Sequence, residues 1–230
     1  MYPTSGGIDI NTIQSFFSGL DYSILINVVA ALLCITFHEL SHGLVAYKLG
    51  DNTAKNAGRL TLNPIKHIDI IGLIMMAIFK FGWAKPVPIN MNNFKNPKTG
   101  MAITALAGPV SNVILAAFMF LIYGFLYKSL YNSSEVGSIV LQWVYTTAYI
   151  SCALAVLNII PIPPLDGSKV LFSFLPSDIY YKLMRYEQYG FILLILLIST
   201  NVASPFLSNV TQGLFNFLAV IAQWAFSLTV

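Results

Sequence analysis

Charge is what this sequence has least of. Only 9% of its 230 residues are Asp, Glu, Lys or Arg, against 57% hydrophobic, whereas a soluble domain carries about 25% charge. A water-soluble globule is excluded, and the chain reads as an integral membrane protein. Cysteine is scarce too: Cys34 and Cys152 both fall in apolar runs, so there is no disulfide framework and no sign of redox compartment. A net charge of +3 asks for no nucleic-acid partner. The first 20 residues lack a basic n-region and a small-residue cleavage site, so the first span is expected to act as its own signal. No internal repeat or low-complexity segment is present. The length suits one membrane domain with no separate soluble unit.

Histidine is nearly as scarce, with three in the chain, and two of them stand in one short stretch. FHELSHG, residues 37–43, places His38, Glu39 and His42 as His-Glu-x-x-His inside an apolar run. On a helix, positions i and i+4 share a face, so His38 and His42 can offer two ring nitrogens to one Zn²⁺. Glu39 sits beside that face, where it can take a proton from water activated by the ion. A catalytic zinc takes three protein ligands and leaves one position open. The third must be His, Asp, Glu or Cys. His67 lies at the polar edge of an apolar segment, and Asp166 is joined to the end of a span by the rigid Pro161, Pro163 and Pro164. Asp166 is the preferred ligand, with His67 read as a hydrogen-bonded interfacial histidine and Cys34 as a small buried residue. Asp166 equally suits the N-cap of a helix starting near residue 165.

The pattern predicts an all-α polytopic membrane protein of about five transmembrane helices, plus a re-entrant segment and a small membrane-associated β element. Residues 1–21 form a polar N-terminal arm, 22–175 a catalytic membrane core and 176–230 a C-terminal transmembrane hairpin. The first span, residues 22 to about 48, makes about 40 Å of helix against about 30 Å of hydrocarbon. GRLTLNP, residues 58–64, alternates as a short strand would. Residues 70–79 are apolar but too short to cross. Residues 101–127 and 137–160 form the second and third spans, 190–203 a short fourth and 206 to about 228 a fifth. Of the twelve Lys and Arg, all but Lys128 fall on one side if residues 70–79 do not cross, and the positive-inside rule makes that side cytoplasmic. These basic residues are read as topology signals. Asp166 then emerges on the same side as His42.

Residues 85–90 carry Pro86, Val87, Pro88 and Ile89, an extended run whose prolines fit only a sheet edge. Such an edge can hold an unwound substrate by strand addition. Gly108 and Pro109 read as a close-packing site with a kink.

HELSH on the first core helix, GPVSN (residues 108–112) on the second and NIIPIPPLDG (residues 158–167) on the third resemble the site-2 protease family of intramembrane zinc metalloproteases, in its compact form without PDZ or CBS domain. The resemblance covers residues 22 to about 175. It implies one Zn²⁺ per chain held by His38, His42 and Asp166, with Glu39 as catalytic base. It further implies that Asn158 helps hold the substrate or its oxyanion, with Asn112 a weaker candidate for the same region; both can equally be helix-bridging polar residues. The expected substrates are single-span membrane proteins cleaved in or near the membrane, by a multi-pass protein of the cell membrane whose active site is near the cytoplasmic side. The other readings are an inactive membrane scaffold and a membrane zinc hydrolase of a non-peptide substrate. A transporter is disfavoured by the lack of repeats and of charges spread over several spans.

Overall fold

The computed structural model describes residues 22–72, 84–131, 133–200 and 203–229. The N-terminal arm expected over residues 1–21, and most of the re-entrant segment expected over 70–79, lie outside them. Helix α1 is Tyr22–Lys48, α2 Thr53–Asn56, α3 Pro97–Leu130, α4 Glu135–Asn158, α5 Asp166–Ser173, α6 Ser177–Arg185, α7 Glu187–Ser199 and α8 Ser204–Ser227. Local chemistry sets several of these limits. α1 ends where Gly50 adopts φ +108° and the Asp51 N–H reaches back to the Ala46 carbonyl at 2.9 Å, the 6→1 bond of a Schellman turn. α3 starts with Asn96 accepting from the Thr99 N–H at 3.2 Å and Pro97 in its first turn, a position that needs no N–H. α4 starts with Ser134 accepting from the Gly137 N–H at 3.0 Å and gives way to the proline-rich run before α5.

Four of the described helices, α1, α3, α4 and α8, are long and apolar enough to cross a membrane, which makes this a multi-pass membrane protein. α3 is central and packs against the other three. Where they meet, Cys34, Ala116, Ala148 and Cys152 are buried almost completely, with Leu115, Met119, Phe120, Phe215 and Leu218 filling the space around them. In lipid there is little hydrophobic gain from pairing helices, so small residues that permit close backbone approach carry the association.

The contacts also give directions. His42 lies against Thr104 and His38 against Asn112, so α1 and α3 are antiparallel. The chain between them therefore begins and ends on one side, as the charge distribution requires. α3 and α8 run parallel: Phe120 meets Phe215, Tyr127 meets Phe226, and the Lys128 ammonium donates to the Thr229 carbonyl at 2.6 Å. The end of α8 is thus on the side opposite the histidines.

Two expectations change. The fourth span expected over residues 190–203 falls mostly on α7, whose 13 residues make about 20 Å of helix, short of the roughly 30 Å hydrocarbon layer. Had it crossed, α8 would end beside the histidines; apolar composition alone does not separate a short buried or interfacial helix from a span. The β element is reduced, among the described residues, to one isolated antiparallel bridge between Ile68 and Ala84. GRLTLNP forms turns, because Thr61 and Asn63 spend their side chains on nearby backbone N–H groups, at Asn63 and Ile65, in competition with a ladder.

Cysteines introduced at Ser133 and Leu228 should therefore be labelled together, or protected together, when an impermeant maleimide is added to intact cells, and one at Asn92 should show the opposite behaviour. Leu228→Cys labelling together with Asn92→Cys would overturn this arrangement.

Candidate metal centre

His38 and His42 leave α1 one turn apart and meet α3 at Gly108. A methyl group there would stand 2.5 Å from His38 Cε1 and from His42 Nε2. The glycine of GPVSN is thus the space the two imidazoles occupy, more specific than the general close-packing site expected. The His42 Nδ1 lies 2.7 Å from the Thr104 carbonyl. A carbonyl can only accept, so Nδ1 carries the proton and Nε2 presents a lone pair. On His38, Nδ1 faces the side-chain amide of Asn112 at 3.2 Å, and the Asn112 Oδ1 has no partner. Turning the amide over puts Oδ1 on the His38 Nδ1–H, giving His38 the same tautomer and that oxygen a bond. Asn112 is fully buried behind His38 and does not line the cavity described below, so a direct substrate contact is not what its position offers.

Asp166 arrives from the other direction. The N-cap of α5 is Leu165, with no side-chain capping bond, so Asp166 is the first helical residue and its carboxylate is free of the capping role. Its Oδ2 lies 3.1 Å from Nε2 of His38 and 3.1 Å from Nε2 of His42, and the two Nε2 atoms are 3.0 Å apart. Burial opposes ionisation of Asp166, and the Lys169 ammonium 3.8 Å from its Oδ1 favours the carboxylate. Three electron-rich atoms thus form a nearly equilateral triangle, all three residues being buried. Ligands at 2.0–2.1 Å in a tetrahedron stand about 3.3 Å apart. His38, His42 and Asp166 are positioned to bind a metal ion, and the donor set fits zinc. His67 is remote from them, its Nε2 on the Thr61 carbonyl at 3.0 Å, and Cys34 is turned to the Thr147 carbonyl at 3.5 Å.

A cavity of about 170 Å³ opens on this triangle, lined also by Glu39, Pro86, Val87, Ile89, Asn158 and Lys169. Glu39 is held beside the triad by the Val87 N–H, which donates to Oε2 at 2.8 Å. The extended run over 85–90 is itself anchored by one backbone bond and two side chains. The Lys85 N–H donates to the His67 carbonyl at 2.9 Å, Arg59 donates to the Lys85 carbonyl at 2.7 Å, and the Asn90 N–H donates to Asp51 Oδ2 at 2.7 Å. Burial works against the Asp51 charge, yet donation from Thr53, Asn90 and Asn93 carries its pKa below the usual carboxylate range. Pro88 is outside the cavity lining. The Asn158 amide lines it but donates to the Leu154 carbonyl at 3.0 Å. Sequence reasoning passed over Lys169, whose only signal was its place one turn after Asp166.

Loss of a hydrogen bond to a metal-binding histidine typically costs 10- to 100-fold in metal affinity. Asn112→Leu should lower zinc affinity by that factor in a chelator competition, and Asn112→Asp, which keeps an acceptor on Nδ1, by less. Equal affinity in wild type and Asn112→Leu would contradict the role given to Asn112.

Known proteins resemble this chain in sequence. A family model described as Peptidase family M50 matches residues 127–199, a stretch that includes Asp166. YwhC of Bacillus subtilis (strain 168) is 38% identical over 183 residues, 77% of this chain and 81% of its own. MJ0611 of Methanocaldococcus jannaschii is 32% identical over 169 residues, 71% of this chain and 80% of its own. Rip2 of Mycolicibacterium smegmatis is 27% identical over 202 residues, 86% and 76% of the two chains. All three carry the name "Putative zinc metalloprotease". No solved structure matches. With the HELSH and LDG residues brought together as a metal-binding group and this identity sustained over most of both chains, the protein belongs to Peptidase family M50, the site-2 protease family.

Proposed function

We propose that this protein is an intramembrane zinc metalloprotease that hydrolyses peptide bonds in or near transmembrane segments of single-span membrane proteins. Its place is the cell membrane, with the active site near the cytoplasmic side. The observation that carries this reading is the triangle of two imidazole nitrogens and a carboxylate oxygen inside an apolar bundle, with a second carboxylate fixed beside it. Bound zinc supplies Lewis acidity, polarising the scissile carbonyl and acidifying water.

The remaining chemistry falls to side chains. Glu39, aimed by the Val87 N–H, accepts the proton of the attacking water and returns it to the leaving amine. Thr104 and Asn112 hold the imidazoles so that Nε2 faces the ion. A substrate helix has its backbone bonds satisfied internally and must unwind before attack, which is costly in lipid unless new partners are found. The run over 85–90 flanks the cavity and is the surface on which the unwound stretch lies. Pro86 and Pro88 have no N–H and the donors of Lys85, Val87 and Asn90 are taken, so the Ile89 N–H is the one donor this run keeps for a substrate, which is otherwise held there through its own N–H groups, donated to carbonyls.

Glu39→Gln should keep its zinc and lose about 10²- to 10⁴-fold in cleavage of a single-span peptide in detergent, while Asp166→Ala loses zinc as well. Cleavage by Glu39→Gln at the wild-type rate would refute the assignment. Wild type that leaves the peptide intact and hydrolyses lipid would replace it with the non-peptide hydrolase.

A further inference from the structure

When water adds to a peptide carbonyl, negative charge develops on the former carbonyl oxygen, and a donor preorganised toward that oxygen is often the largest single contribution to catalysis. The cavity has few candidates. The Val87 N–H is held by Glu39, and the Asn158 amide, the donor the family resemblance suggests, has one of its two N–H groups tied to the Leu154 carbonyl, which turns it toward its own helix. Among the described lining residues the side-chain donor that carries a full positive charge, and so answers best to a developing negative one, is the Lys169 ammonium.

Lys169 is mostly buried and lies on α5 one turn beyond Asp166. Its Nζ is 3.8 Å from Asp166 Oδ1 and 3.4 Å from Glu187 Oε1. The first separation is too long for a hydrogen bond, so the ammonium is close to the metal ligand without being committed to it. Glu187, the first residue of α7, pairs with the same ammonium.

We propose that Lys169 is a further catalytic residue, the donor that faces the oxyanion of the tetrahedral species. The inference rests on the metalloprotease reading above. As the water oxygen bonds to the carbonyl carbon, the carbonyl π pair moves onto oxygen and meets the ammonium. When that pair returns, the C–N bond breaks and the proton taken by Glu39 goes to the amine. Lys169 gives up no proton in either step. Glu187 is a positioning residue that keeps the ammonium aimed while Asp166 binds metal.

The test uses purified, zinc-loaded wild type, Lys169→Met and Lys169→Arg. Three readouts are taken: zinc per chain, cleavage kinetics on a single-span peptide, and affinity for a phosphinic analogue of that peptide, whose anionic tetrahedral group mimics the oxyanion. Lys169→Met should retain its zinc and keep KM within threefold. It should lose about 10²- to 10³-fold in kcat and a similar factor in phosphinic affinity, and Lys169→Arg should recover at least tenfold of both. Lys169→Met with kcat and phosphinic affinity within threefold of wild type would overturn the proposal, and so would loss of zinc in that variant, which makes Lys169 part of metal retention. Wild type that holds zinc and cleaves no peptide defeats the protease reading itself; wild type that cleaves alongside an equally active Lys169→Met defeats only the role of Lys169.

Discussion

Two imidazole lone pairs and a carboxylate oxygen, 3.0–3.1 Å from one another, need a positive charge between them, and much of the bundle is arranged around keeping them there. α1 supplies the nitrogens at one-turn spacing. α3 supplies the space, at Gly108, and the two acceptors that set the ring tautomers. The proline run after α4 turns the chain so that α5 begins with its carboxylate facing the rings. None of these elements makes the site alone: charged ligands in an apolar interior are tolerated because each is matched by an opposite charge or a hydrogen bond.

The second carboxylate is handled differently. Glu39 is one residue from His38 yet is kept off the triangle by the Val87 N–H. That bond depends on the extended run over 85–90, which in turn hangs from Asp51, Arg59 and the His67 carbonyl. Asp51 is buried at the end of α1, just past Gly50. The polar loop outside the bundle therefore does more than join helices, since it sets the distance between the base and the metal ligands. His67 belongs to this support through both its backbone and its ring.

The site was legible in the sequence because its chemistry demands residue types that membrane helices otherwise avoid. His38, Glu39, His42 and Asp166 stand out against an apolar background, and their spacing fixes a shared face or a helix end. The membrane class followed from composition for the same reason. What was not legible depended on packing. The 13 residues of α7 are as apolar as a span and only their length in three dimensions separates them from one. GRLTLNP alternates like a strand, but Thr61 and Asn63 turn it. Asn112 sits on a ring nitrogen that no local pattern reveals, and Lys169 was indistinguishable from a basic residue that marks membrane orientation until its ammonium was seen beside Asp166.

The most direct test of the account is X-ray absorption at the zinc edge of the purified protein, with and without a hydroxamate that occupies the open coordination position. Two imidazole nitrogens, one carboxylate oxygen and one further light-atom ligand at about 2.0–2.1 Å, the last changed by the hydroxamate, is the predicted result. A shell containing sulfur, a third imidazole, or a closed set unaffected by the hydroxamate would contradict the site as described.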